Sequence, residues 1–155
     1  MAQPISSAAA TDLAPRPSLT LARRLNASPE KVYAAWTDPK NLIQWFMPPS
    51  AVPGTVKAEM DLRVGGKYRF SFDKDGEYFE VGGVYREVVP HTRLVFTWAW
   101  HSTPERDSVV TISIKAEGER TLLTLHHAQF TDQAARDSHE RGWSGMLDNI
   151  ERLLG

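Results

Sequence analysis

The side chains best suited to proton transfer near neutral pH are five histidines: His91, His101, His126, His127 and His139. His126 and His127 close the stretch "TLLTLHH", which alternates like a strand. Strand neighbours point to opposite faces, so these two cannot share one metal ion. His127 has the parity of Leu123 and Leu125 and is expected to face inward. There it is a satisfied core histidine, a ligand's hydrogen-bond partner or a general base. His139 precedes Trp143 by one helical turn, a spacing that puts it at the mouth of any cavity Trp143 borders. No HExxH or similar spacing supplies a third convergent ligand, so no metal is expected. The chain has no cysteine and no Gly-x-Ser-x-Gly, so nucleophilic catalysis has no signature. Gly65-Gly66-Lys67 suggests a phosphate cradle, yet a P-loop continues with Ser or Thr into a helix. Here Tyr68 and a strand-like alternation follow, so the glycines read as a chain reversal supplying positive φ.

Aromatic residues form the larger constellation. Trp36 and Trp45 fall in an early helical region. Tyr68, Phe70 and Phe72 share one face of a strand, and Phe96, Trp98 and Trp100 share one face of another. Trp143 and Leu147 lie on one stripe of a C-terminal helix. If these faces converge, together with His127, they wall a ligand site or fill a core. Each aromatic side chain carries about 150–250 Å² of surface, so such walls suit a hydrophobic ligand. Glu80, Arg86 and Glu87 lie on a strand interrupted by Gly82-Gly83. A bulge at the glycines would flip its phase, so its facing stays open. One of the three could turn inward toward the polar end of a ligand, or all could be solvated.

These residues need elements to position them. Leu19 to Ser28 begins with strand alternation. Ser28-Pro29-Glu30 is a helix start: N-cap, proline at the first position, acid in the first turn. That helix ends before Asp38-Pro39, and a second short one runs from Pro39 to about Phe46. From Thr55 the period becomes two. Strands are expected over 55–64, 67–72, 78–89, 94–100, 108–115 and 121–127, separated by short turns. Helical spacing returns after Phe130, with Thr131 as the expected cap. Trp143, Met146, Leu147, Ile150 and Leu154 mark the buried face. Gly142 and Gly145 cost about 1 kcal/mol each against Ala in that helix, and leave room for something bulky. The order is strand, two short helices, a six-strand meander and one long helix, an α+β domain with an antiparallel sheet. A lone amphipathic helix must lie on the sheet, and a strongly twisted sheet can leave a cavity beneath it.

Bulk composition narrows the function classes. The chain has 155 residues and a formal net charge of -1, which suits one domain and gives no basic excess for nucleic acid. The hydrophobic share of 41% supports a core. Absence of cysteine fits a cytoplasmic setting. No run approaches the ~20 apolar residues of a membrane span, and the N-terminus lacks the basic start and apolar core of a secretory signal. Residues 1–18, rich in Ala, Ser and Pro, are expected to be a disordered lead-in, with the folded domain spanning 19–155.

Taken together, "SPEKVYAAWTDPKNLIQWF", "DLRVGGKYRF", "GVYREVVPHTRLVFTW", "TLLTLHH" and "GWSGMLDNIERLL" resemble, in that order, the START-like (SRPBCC) proteins. The branch is similar to the C-terminal domain of the activator of the heat-shock protein 90 ATPase. The resemblance runs from about Leu19 to Leu154 and implies a helix-grip fold, a curved sheet of about seven strands wrapping the last helix over a mainly apolar cavity. With the aromatic faces, it motivates the reading of a soluble protein holding a small hydrophobic molecule, and no cofactor is expected. A cyclase- or hydrolase-like enzyme using an inward His or Glu is the alternative. A co-chaperone-like interaction domain is the third reading. The oligomeric state stays open, a homodimer included.

Overall fold

The computed structural model describes residues 16–48 and 50–155. The chain runs β1 (Leu19–Leu25), α1 (Pro29–Thr37), α2 (Pro39–Trp45), then β2 (Lys57–Met60), β3 (Lys67–Lys74), β4 (Glu77–Val89), β5 (Arg93–Trp100), β6 (Ser108–Glu117) and β7 (Arg120–Ala128), and ends with α3 (Gln133–Leu154). The strands form one antiparallel sheet in the order β1-β7-β6-β5-β4-β3-β2. Consecutive strands pair from β2 through β7, and β1 returns to the free edge of β7. With α3 laid on the sheet, this is the helix-grip architecture.

Local chemistry explains the element ends. Ser28 caps α1 by accepting from Lys31 N–H. Asp38 serves two helices: its N–H bonds to Ala34 at the end of α1, and its carboxylate accepts from Lys40 N–H at the start of α2. Proline at position 39 forces this break. The cap of α3 is Asp132, not the expected Thr131; its Oδ1 accepts from Ala135 N–H at 2.8 Å. A carboxylate three residues before the bonded N–H is the stronger cap at a positive helix end.

Two strands differ from the expectation. β2 stops at Met60, although apolar alternation continues to Val64. Asp61 N–H bonds back to Lys67 O, and Leu62 and Val64 lie exposed in a loop. Gly65 has φ +85°, the reversal expected of the Gly-Gly pair. Gly66 acts otherwise: a Cβ there would sit 2.0 Å from Asp61 O, so it permits a close backbone approach. In β4 the register shift falls between Tyr85 and Glu87, at Arg86, rather than at Gly82-Gly83. The glycines instead let neighbouring strands crowd in. Added Cβ atoms would lie 2.7 Å from Tyr68 O and 2.0 Å from Thr97 O. Phe79, Val81 and Tyr85 therefore share the inner face, while Arg86 and Glu87 are exposed.

The core lies between the concave face and the helices. Leu94, Phe96, Val110, Ile112, Leu123 and Leu125 come from the sheet; Trp143, Met146, Leu147 and Ile150 come from α3. Arg23 on β1 ties α3 in place through Asp148 and Glu151. The proposed lead-in over 1–18 lies outside the described residues up to 15. At its end, Phe130 N–H bonds to Pro17 O, and Arg136 Nε to Ser18 O.

Candidate functional site

A cavity of about 690 Å³ opens between α3 and the β3–β5 face. Its volume falls in the range of small-molecule sites. β3 supplies Phe72, β4 supplies Phe79, and β5 supplies Trp98 and Trp100. From α3 come His139, Gly142, Trp143 and Met146, at the spacing of one helix face. Phe46, just after α2, completes the apolar wall. Phe46, Phe72, Trp98, Trp143 and Met146 are buried, and Phe79, Trp100 and His139 are half-buried. Toward solvent the lining turns polar, with Ser50, Ser102, Ser138 and Arg141 exposed and Lys74 and Thr103 half-buried.

Several bonds fix this frame. Asn149 on α3 donates to Trp45 O at 3.2 Å and Met47 O at 3.5 Å, which holds the chain after α2 against the helix. Ala51 forms a β-bridge with Lys74, pinning the segment after Pro48 to the end of β3. Gly142 matters by what it lacks: a Cβ placed there meets no atom within 4 Å. A larger side chain at that point would project into open space.

Of the residues expected to form a site, Phe72, Trp98, Trp100 and Trp143 line the cavity. The others lie in the packed interior and do not line it. Trp36 and Trp45 meet edge to face with ring centroids 4.5 Å apart, and Trp36 packs 6.0 Å from Trp143. Trp45 Nε1–H donates to Ala35 O at 2.8 Å. Trp36 Nε1 is the buried side-chain polar atom left without a partner among the described residues. Tyr68 is buried against Phe70, Tyr85 and Phe96, and its hydroxyl donates to Thr97 O. Burial raises its pKa. Phe70 and Phe96 are core side chains, and Leu147 is fully buried.

His127 points inward, as its parity requires, and is fully buried. Trp143 Nε1–H donates to its Nδ1 at 3.0 Å, so that nitrogen is unprotonated. Nε2 therefore carries the proton and donates to Ser108 Oγ at 2.7 Å, and the Ser108 hydroxyl donates in turn to Trp98 O. Both ring nitrogens are used, and the ring is neutral. Burial first, then the nearby His139 and His126, push its pKa down to about 2. His127 is a satisfied core histidine. His126 faces the other way, where Nδ1 meets Thr20 Oγ1.

His139 is the histidine at the cavity wall. Its Nδ1 bonds to Ala135 O at 2.8 Å and must be the protonated nitrogen, because a carbonyl only accepts. Nε2 then accepts from two indoles, Trp100 at 3.1 Å and Trp98 at 3.2 Å. Protonating Nε2 would set three N–H groups against one another. Burial lowers the pKa, against the pull of the Ala135 carbonyl. A smaller annex of about 50 Å³ shares the Trp98, Trp100 and His139 wall.

Sequence reasoning missed Phe46, Phe79 and Met146 as lining residues, and the polar rim. Met146 had a signal, one turn after Trp143 on the same stripe. Phe79 had none, because the facing of its strand depends on where the bulge falls. Glu80, next to the lining Phe79 in sequence, instead accepts from Tyr78 Oη. Among the described residues no group of three metal-ligating side chains converges.

Comparison with known proteins points one way. The family described as Activator of Hsp90 ATPase homolog 1-like protein matches residues 26–155. Protein CV1439 from Chromobacterium violaceum is similar, with 27% identity, a TM-score of 0.77, and coverage of 88% of this chain and 96% of its own. The AHSA1 protein from Silicibacter pomeroyi gives 26% identity, a TM-score of 0.73, and coverage of 89% and 97%. CalU16 from Micromonospora echinospora gives 28%, 0.66, and coverage of 89% and 76%. No curated protein matches.

Proposed function

The chain belongs to the Activator of Hsp90 ATPase homolog 1-like family, and from that premise we propose that it binds a small hydrophobic molecule in the cavity under α3. One observation carries this reading: an open volume of about 690 Å³ whose floor is aromatic and whose helix wall carries a glycine facing empty space. A protein that only needed a core would gain by filling it, since buried voids forfeit contacts. Burial of apolar ligand surface would stabilise the complex by about 25 cal/mol per Å² before the costs of association.

The enzymatic alternative, an inward His or Glu as base, needs such a side chain with a free atom at the wall. His127 is sealed in the core, and His139 already spends both ring nitrogens. Binding is the better-supported reading on that geometry. An interaction role of the co-chaperone kind draws on the family description alone. Among the described residues no helix is long and apolar enough to cross a membrane. We assign the protein to the cytoplasm on its cysteine-free composition.

The test is a cavity block. Gly142→Leu should remove binding of a neutral apolar dye, N-phenyl-1-naphthylamine, while melting temperature holds or rises. Dye that fails to bind the wild type, or binds the variant equally well, overturns the proposal.

A further inference from the structure

Among the described residues the charged side chains lining the cavity are Lys74 and Arg141, both cationic, and no carboxylate joins them there. That imbalance stands out in a chain of net charge -1. Among the described residues neither cation forms an ion pair, so neither charge at the rim is offset by a carboxylate. Asp137, one turn before Arg141, could have neutralised it, but is held by Arg136 and Gln133. Lys74 is half-buried, with its backbone bridged to Ala51. Its stem can lie along the wall while the ammonium stays near water. Next to Arg141 stands Gly142, whose empty side joins the rim to the apolar floor.

Resting on the binding role proposed above, we infer that the ligand is an amphiphilic anion, with a carboxylate-like head between Lys74 and Arg141 and an apolar body against Trp98, Trp143 and Phe72. The head stays partly hydrated at the rim, which avoids the cost of burying a charge. Arg141 can engage an oxyanion in bidentate fashion, and Ser138 and Ser102 at the same rim can donate to it. The polar zone is thus matched to one sign of charge, and discrimination comes from the head while the body supplies affinity.

Decanoate, decanol and decylamine share one apolar body and differ in head charge. Trp98, Trp100 and Trp143 in the wall make tryptophan fluorescence the readout. Decanoate should bind at least about tenfold tighter than decanol, and decylamine weakest, with the acid's advantage shrinking as salt rises. In K74A/R141A, decanoate should fall to the level of decanol while decanol is unchanged; a melting curve checks the fold. Equal binding of acid and alcohol, or an advantage that survives in the double variant, overturns this inference and leaves the binding role standing. If none of the three binds, the binding role itself falls.

Discussion

The space beneath α3 is built from the same residue types at both ends and filled at one only. At the closed end Trp36 and Trp45 pack edge to face with centroids 4.5 Å apart, and Trp45 meets Phe46 at 6.0 Å where the cavity wall begins. At the open end Phe72, Phe79 and Trp100 keep comparable spacings, from 5.5 Å to 6.4 Å, but border empty volume. Trp143 touches both. Aromatic content therefore does not make a cavity. The difference lies in what stands opposite. The closed end faces the Trp143 indole of α3, and the open end faces Gly142 and a polar rim. The histidines follow the same division. His127 is sealed between Trp143 and Ser108, and His139, with its ring 5.2 Å away, forms part of the cavity wall.

Deleting one tryptophan from each end tests the contrast most severely. Trp45→Ala should cost about 3–5 kcal/mol, because a close-packed site leaves a void. Trp100→Ala should cost less than about 2 kcal/mol, because one side of its ring already faces open volume. Urea unfolding measures both, and equal losses would break the comparison.

Acid gives the next largest effect. The unfolded chain takes up a proton on His127 near pH 6.5, whereas the folded state resists until about pH 2. The unfolded state then holds more protons, so stability falls as pH falls. Between about pH 6.5 and 4.5 the loss should approach 1.4 kcal/mol per pH unit from His127, with a further contribution from His139, whose pKa is also lowered. H139Q should remove that second part and reduce the His127 part slightly, since His139 helps to lower the His127 pKa. Urea midpoints at pH 7.5 and 5.5 give the slope; a flat profile would mean that His127 is not held neutral.

The smallest effect concerns glycine. Gly142→Ala should stabilise by roughly 0.5–1 kcal/mol, since a helical glycine costs entropy and its added Cβ meets nothing. Gly66→Ala should destabilise, because its Cβ would collide with Asp61 O. A Gly142→Ala variant that melts lower than wild type would show that the helix wall is not open there.

Much of the fold was legible in the chain. Period two from Lys67 to Phe72 and from Leu94 to Trp100 found β3 and β5, with their inward aromatics. The Trp143, Met146, Leu147, Ile150 stripe found the buried face of α3. Misreadings came where one local signal competes with another. Apolar alternation at Leu62 and Val64 continues into a loop, because the reversal to β3 outranks it. In β4, two glycines looked like the bulge, while the register breaks at Arg86. Thr131 and Asp132 are both capping residues, and only backbone geometry chooses between them.

The sequence by itself determined which side chains face inward on β3, β5, β7 and α3, though not on β4, because the periods of strand and helix are short-range properties of the backbone. It determined that His126 and His127 part company, and that no cysteine chemistry operates. Only tertiary structure decided which inward aromatics touch one another and which leave a volume, since that depends on how far α3 stands from each strand. Tertiary structure alone also brought Lys74 and Arg141, far apart in the chain, to the rim of one cavity. It likewise set two indole N–H groups on a single nitrogen of His139. Long-range proximity is a product of packing, and no local pattern encodes it.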